Sequence, residues 1–114
     1  MIFRPELAEK VLAGDKTQTR RLKSDNPRSP WWRERCAYVV GREYAIQPGR
    51  GKVAIGRLLI TEVREALLGD ISYGDARAEG FESPSHFMRY FRELNGDLDY
   101  DAPLWALTFS LVGE

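Results

Sequence analysis

The stretch Gly14-Asp15-Lys16-Thr17-Gln18-Thr19-Arg20-Arg21 joins a short amphipathic helix to an extended segment. Gly14 suits the position that ends the helix, because glycine reaches positive φ without a Cβ clash. The two threonines are β-branched and favour an extended chain. If residues 17–21 form a strand, Thr19 and Arg21 lie on the same face, since side chains alternate with a period of two. The strand then places a hydroxyl next to a guanidinium.

Two interpretations of this stretch stay open on residue types alone. A strand rich in lysine, arginine and threonine is most often a solvated edge of a sheet. A helix end that leads into a polar strand also brings side chains close to free backbone groups, which suits a small polar ligand. The pattern therefore makes a binding site plausible without requiring one.

The length of 114 residues fits a single domain over 1–114, and 43% apolar residues supply a core. The single cysteine, Cys36, excludes an internal disulfide and favours a reducing compartment. No apolar stretch approaches 18 residues, and charges interrupt the N-terminus where a signal peptide would be apolar. We predict a soluble cytoplasmic protein with no membrane association. No cofactor or metal site is predicted.

The formal net charge is zero, but the charges are unevenly distributed. Residues 1–57 hold thirteen Lys/Arg and six Asp/Glu, whereas residues 58–114 hold four and eleven. The basic half can form a positive patch that attracts nucleic acid. Alternatively, the two halves pair with each other across the fold, and the sequence does not rank these two possibilities.

Further elements are predicted from apolar spacing and turn residues. Pro5 and the stripe Leu7, Val11 and Leu12 indicate a helix over 5–13. Residues 23–30 read as a surface loop, and Trp31-Trp32 after it is either a core anchor with a partly covered neighbour or a stacking platform for a base.

Strands are predicted over residues 43–47, 52–64 and 104–112. The change of apolar parity in the second of these predicts a β-bulge near Gly56-Arg57, which would bend the strand as a small barrel requires. The turn 48–51 contains Arg50 between two glycines; it is most simply a hairpin, although it could hold a phosphate.

Two more helices are predicted in the acidic half. Ser72 is a candidate N-cap for a helix that Gly80 ends, and Ser83 or Ser85 begins the next. Its aromatic stripe, with a helical spacing from Phe87 to Leu94, is interpreted as core. His86 is the only histidine, so the sequence offers too few histidines for a histidine metal site and little basis for serine–histidine catalysis.

Several of these motifs together resemble the ASCH superfamily over nearly the whole chain. The matching residues are Phe3, then Gly14-x-Lys16-Thr17-x-Thr19-x-Arg21, then Tyr44 and Gly49-Arg50-Gly51, then Ala78-Glu79-Gly80-Phe81, and finally Trp105 and Phe109. The resemblance implies an α+β fold: a small PUA-like β-barrel of about five to six strands, flanked by two or three short helices. It also implies a cleft that binds RNA or a modified nucleoside.

One branch of the superfamily removes the acetyl group of N4-acetylcytidine with a lysine, a threonine and a glutamate. By motif position, the resemblance implies that Lys16, Thr19 and Glu79 are the catalytic residues. The candidate residues for binding the substrate or RNA are Thr17, Arg20, Arg21, Arg50, Trp31 and Trp32. Residues 23–42 form a longer segment than in the compact hydrolases, and could cover or reshape the cleft.

The chemistry is also reasonable without the resemblance. Amide hydrolysis needs a nucleophile, a base and an acid, and Thr19, Lys16 and Glu79 supply one of each. Lys16 and Thr19 lie three residues apart, so Lys16 must precede the regular strand if both are to face one pocket. Two alternatives stay open: a non-catalytic RNA-binding module, and a ribonuclease that uses the same cleft.

Overall fold

A computed structural model of the chain describes residues 1–113. Its seven main elements run along the chain as α1 (Pro5–Ala13), β1 (Gln18–Leu22), β2 (Glu43–Ile46), β3 (Gly56–Leu67), α2 (Tyr73–Ala78), α3 (Pro84–Asn95) and β4 (Pro103–Leu111). A short 3-10 turn, Leu68–Asp70, follows β3. The strands form one antiparallel sheet in the order β1-β4-β3-β2.

The α+β class is confirmed, but the sheet is open and has four strands where five to six were predicted. Its edges are β1 and β2, and the gap between them is bridged by the N-terminal segment rather than by a strand pair. Ile2 forms a single parallel bridge with Gln47, and its carbonyl accepts a hydrogen bond from Arg21 Nη2 at 2.9 Å. One residue of bridging does not close a sheet, so the structure does not confirm the barrel.

The two faces of the sheet carry separate apolar cores. One core packs Phe3 and Val11 against Leu58, Ile60 and the inward side chains of β4. The other packs α2 and α3 against Leu104 and the 3-10 turn. The site described below lies where β1 separates these two layers.

The β-bulge exists but lies further along the strand than predicted. The β3–β4 register shifts between Ile60 and Glu62, so that Thr61 is the extra residue. The predicted position, near Gly56-Arg57, is wrong because residues 52–55 are not in the strand, and Val53 is 86% exposed. The bulge at Thr61 turns Val63 back to the face already occupied by Ile60.

The helix starts and ends follow the predicted signals. Gly14 ends α1 in the left-handed region with φ 81°. Ser72 caps α2 by accepting a hydrogen bond from the Asp75 N–H at 3.0 Å, and Ser83 rather than Ser85 caps α3. No helix among residues 1–113 has the length and apolar character needed to span a membrane.

Candidate active site

Lys16 lies in the turn between α1 and β1, where the spacing argument requires it. Regular pairing of β1 begins at Gln18, so the Lys16 side chain is not bound to the alternation of the strand. Its Nζ donates three hydrogen bonds: to the Gln18 carbonyl at 2.8 Å, to the Glu79 carbonyl at 2.8 Å and to Glu79 Oε1 at 3.1 Å. The ammonium is 2% exposed.

Glu79 is placed by the end of α2. It keeps helical dihedral angles at the C-cap, while Gly80 adopts φ 97° and turns the chain away. Its second oxygen, Oε2, accepts a hydrogen bond from Arg20 Nη1 at 3.0 Å. Both carboxylate oxygens are therefore paired with cations from the Lys16–Arg20 segment, across about sixty residues of sequence.

Burial lowers the pKa of the Lys16 ammonium from its ordinary value, because the low-dielectric interior disfavours charge. The Glu79 carboxylate opposes this shift, and the Arg20 and Arg21 guanidiniums add to it. A lysine with a lowered pKa loses its proton more readily, which is what base catalysis requires.

Thr19 is buried on the opposite face of β1 from Arg20. Its Oγ1 accepts a hydrogen bond from Arg21 Nε at 3.2 Å, as the period-two spacing predicted. The Arg21 guanidinium lies between two aromatic rings, with its Cζ 5.4 Å from the Phe3 centroid and 5.2 Å from the Trp31 centroid. Thr19 is thus held beside a cation.

A cavity of about 390 Å³ opens on the free edge of β1 and brings the three predicted catalytic residues together. Lys16, Thr19 and Glu79 all line it, with Arg20 and Arg21. Opposite this polar end, α3 supplies an apolar wall from Phe87, Tyr90, Phe91 and Leu94. The aromatic stripe predicted to be core therefore has a second role as a cavity wall.

The structure does not bring the remaining candidates into the cavity lining. Arg50 is exposed in its turn, and Thr17 joins β4 and α2 through backbone hydrogen bonds. Trp31 stacks on Tyr38 at 4.9 Å and flanks Arg21. The Trp32 carbonyl accepts a hydrogen bond from Trp105 Nε1 at 3.0 Å, which fixes the 23–42 segment to the first core. The only histidine, His86, also lies outside the lining.

Two contributors were not predicted. Asp75 accepts hydrogen bonds from Gln18 and from Arg20 Nη2, at 3.1 and 3.2 Å, and so holds Arg20 in place. Burial raises the pKa of its carboxyl, but the Gln18 hydrogen bond and the Arg20 and Arg64 charges outweigh that effect and the pKa lies below its ordinary value. The sequence contained a signal for this contact. Asp75 and Glu79 are four residues apart and so lie on one face of a helix, where both can pair with Gln18 and Arg20, which are two residues apart on one face of a strand. Arg4, the second contributor, lines the cavity where α1 begins.

This architecture is the fold of ASCH domains. The chain superposes on the ASCH domain from Lactobacillus crispatus with a TM-score of 0.73 at 19% identity, covering 93% of this chain and 70% of that one. A protein from Enterococcus faecalis matches with a TM-score of 0.69 at 22% identity, over 94% of this chain and 67% of its own. A variant of the ASCH protein of Zymomonas mobilis gives 0.64 at 16% identity, over 96% and 66%.

The resemblance predicted from the sequence is therefore confirmed at the level of the fold. Neither the protein-family models nor the curated protein sequences contain a match to the chain. This similarity is one of fold and does not confirm the acetylcytidine branch, so the activity has to be argued from the site.

Proposed function

We propose that the cavity binds an RNA nucleotide or a modified nucleoside and hydrolyses the amide of N4-acetylcytidine. The observation that carries this proposal is the shared cavity: a threonine hydroxyl, a buried lysine and a buried glutamate line one space with an aromatic wall. A volume of about 390 Å³ is within the range of small-ligand sites, roughly 300 to 1,000 Å³.

The free edge of β1 supports recognition of a heterocyclic base. The Phe109 N–H donates to the Thr17 carbonyl and the Lys23 N–H donates to the Pro103 carbonyl, so the odd-numbered residues of β1 face β4. In an antiparallel pair the alternate residues point away. The N–H and C=O groups of Arg20 and Leu22 therefore face the cavity edge, where a base can pair with them.

In the proposed reaction, Thr19 Oγ1 attacks the acetyl carbonyl and its proton passes to the neutral Lys16 amine. The bond to N4 breaks as the Lys16 ammonium passes this proton to the nitrogen, which leaves as the amine of cytidine. Water then attacks the acetyl ester on Thr19 and gives a proton to Lys16; the ester bond breaks, Lys16 returns that proton to Thr19 Oγ1, and acetate leaves. The hydrogen bond from Arg21 Nε stabilises negative charge on Thr19 Oγ1. Lys16 donates three hydrogen bonds as the ammonium. Substrate binding must therefore break one of these hydrogen bonds before Lys16 can act as a base.

Incubation with N4-acetylcytidine, followed by chromatographic detection of cytidine, tests the proposal. We expect turnover by the wild type and a loss of about 100-fold or more in Thr19→Val, which keeps the shape of the side chain without the nucleophile. Thr61→Val, the same change at the exposed β-bulge, is the matched control and should retain activity. Absence of turnover at high wild-type concentration, both of N4-acetylcytidine and of its 5′- and 3′-monophosphates, would remove the hydrolase from consideration.

A second candidate is a non-catalytic RNA-binding module. The observation that favours it is that every polar atom of the Lys16–Glu79 pair already has a partner. Lys16 Nζ donates three hydrogen bonds and both Glu79 carboxylate oxygens accept one, which is what a pair with a purely structural role requires. In that case Arg21→Ala weakens binding of a short RNA, whereas the wild type releases no cytidine from N4-acetylcytidine.

A further inference from the structure

Arg21 has hydrogen-bonding capacity that the protein does not use. Nε donates to Thr19 Oγ1 and Nη2 donates to the Ile2 carbonyl. Among residues 1–113, no carboxylate lies within 4.0 Å of this guanidinium, and Nη1 has no hydrogen-bond partner although it is not sealed from solvent. A guanidinium clamped by two aromatic rings with one free N–H pair is preorganised for an anionic ligand.

Arg4 is a second cation at the same opening. It immediately precedes α1, lines the cavity, and lies with its Cζ 5.9 Å from the Tyr90 centroid. Within the described chain it forms no ion pair. The nine-residue helix that follows it directs its positive end toward the same opening, where Pro5 has no N–H, the Leu7 N–H donates to the Arg4 carbonyl, and the Glu6 N–H has no partner among the described residues.

The charges inside the cavity are balanced, whereas those at its opening are not. Lys16 and Arg20 are neutralised by Glu79 and Asp75. Arg4 and Arg21 form no ion pair in the part of the chain that the structure describes. The acids around them are Glu6, which is exposed in the first turn of α1, and Glu79, whose charge acts on Arg21 but is already paired with Lys16 and Arg20. The opening therefore keeps a net positive charge next to a neutral interior.

From this we infer that Arg4 and Arg21 form a phosphate subsite, and that the ligand of the cavity is a nucleotide or an RNA residue rather than a free nucleoside. This inference rests on the proposed function, because it takes the cavity to hold the base. The Tyr90 hydroxyl lies near both arginines, and burial raises the pKa of this phenol, so it remains a neutral donor at the same opening. A free nucleoside would leave both arginines without a ligand group.

Isothermal titration calorimetry with cytidine, cytidine 5′-monophosphate, cytidine 3′-monophosphate and inorganic phosphate tests the inference, since none of these carries an acetyl group to hydrolyse. We expect one of the two nucleotides to bind about tenfold or more tightly than cytidine, as charge-assisted hydrogen bonds predict. Arg4→Gln, at an exposed position, should remove most of this difference, and Arg21→Gln should do the same. Arg89→Gln, an exposed arginine of α3 outside the lining, should leave it unchanged.

Each other outcome overturns the inference in a distinct way. Equal affinities for cytidine and both nucleotides would eliminate the phosphate subsite while leaving the base-binding cavity intact. Inorganic phosphate that binds as tightly as the nucleotides would show an anion site without base recognition. If none of the four ligands binds, the proposed function fails together with the subsite.

Discussion

At the scale of single residues, the decisive feature is the buried set of charges formed by Lys16, Glu79 and Arg20. A buried ion pair adds little stability compared with apolar residues of the same shape, because desolvation offsets the attraction. Loss of one member is far more damaging, because the others stay buried without a partner. The set therefore fixes the relative position of β1 and α2, and with it the geometry of the cavity.

Replacement of Glu79 by glutamine should test this asymmetry. The amide leaves the Lys16 charge uncompensated and Arg20 paired with Asp75 alone, so Glu79→Gln should lower the free energy of unfolding by about 3 to 5 kcal/mol. Glu65→Gln is the matched control, since Glu65 is 69% exposed and pairs with Lys23 at the surface; it should change stability by about 1 kcal/mol or less. Urea unfolding followed by tryptophan fluorescence measures both. Equal losses of stability in the two variants would show that the buried charges do not hold β1 and α2 together.

Asp75 gives the protein a specific sensitivity to acid. Its pKa in the folded state lies below the unfolded value of 3.8, so its contribution to stability is complete above pH 4 and is lost as the pH falls through the lower folded value. Asp75→Asn should unfold at lower urea than the wild type at pH 7, and its midpoint should fall less between pH 4 and pH 3. Parallel midpoints over that interval would contradict the assignment.

At the scale of elements, the ends of helices were predictable because they depend on one or two neighbouring residues. Gly14 ends α1 with φ 81°, and a Cβ built on it would meet no atom within 4 Å. Its requirement for glycine is therefore a matter of backbone conformation alone. Gly74, in the first turn of α2, has no positive φ and a Cβ there would meet only Ser72 Oγ at 3.9 Å.

The same substitution should therefore have opposite effects at these two positions. Gly14→Ala forces a Cβ into the left-handed region and should destabilise the protein by about 1 to 2 kcal/mol. Gly74→Ala removes flexibility from the unfolded chain and should stabilise it by up to about 1 kcal/mol. Differential scanning calorimetry of the two variants should give melting temperatures on opposite sides of the wild type. Two shifts of the same sign would show that packing, not backbone conformation, governs one of the sites.

Strand limits were less predictable than helix ends, because strands are defined by distant partners. Val53 and Ile55 have the alternation of a strand, yet residues 52–55 stay outside the sheet, because the pairing of β2 with β3 ends at Ile46 and only the Ile55 N–H donates back to the Ile46 carbonyl. The true bulge at Thr61 depends on which residues of β4 lie opposite. The motif around Lys16 was recognisable from local sequence, whereas the link from Arg20 to Asp75 and the placement of Arg4 emerge only when the elements are packed.

At the scale of the whole molecule, the structure shows pairing between the basic and acidic halves, whereas a positive patch that attracts nucleic acid stays a prediction. Among the described residues, four ion pairs join the basic half to the acidic half: Lys16–Glu79, Arg20–Glu79, Arg20–Asp75 and Lys23–Glu65. Cations of the basic half are thus neutralised across the fold, and three of these pairs adjoin the cavity. Of the cations that line the cavity, Arg4 and Arg21 at its opening are the two without an ion pair in the described chain.

This charge distribution predicts a weak dependence of RNA binding on salt. If a cytidine-containing trinucleotide binds through the two arginines at the opening, it releases about two counterions, and the slope of log K against log salt should be about −1.4. Raising salt from 50 to 200 mM should then weaken binding about sevenfold. Fluorescence anisotropy of a labelled trinucleotide measures the slope, and Arg4→Gln should reduce it by about half. A slope several times steeper would place the exposed arginines of residues 23–50 on the RNA instead, and a slope of zero would mean that no phosphate is contacted at all.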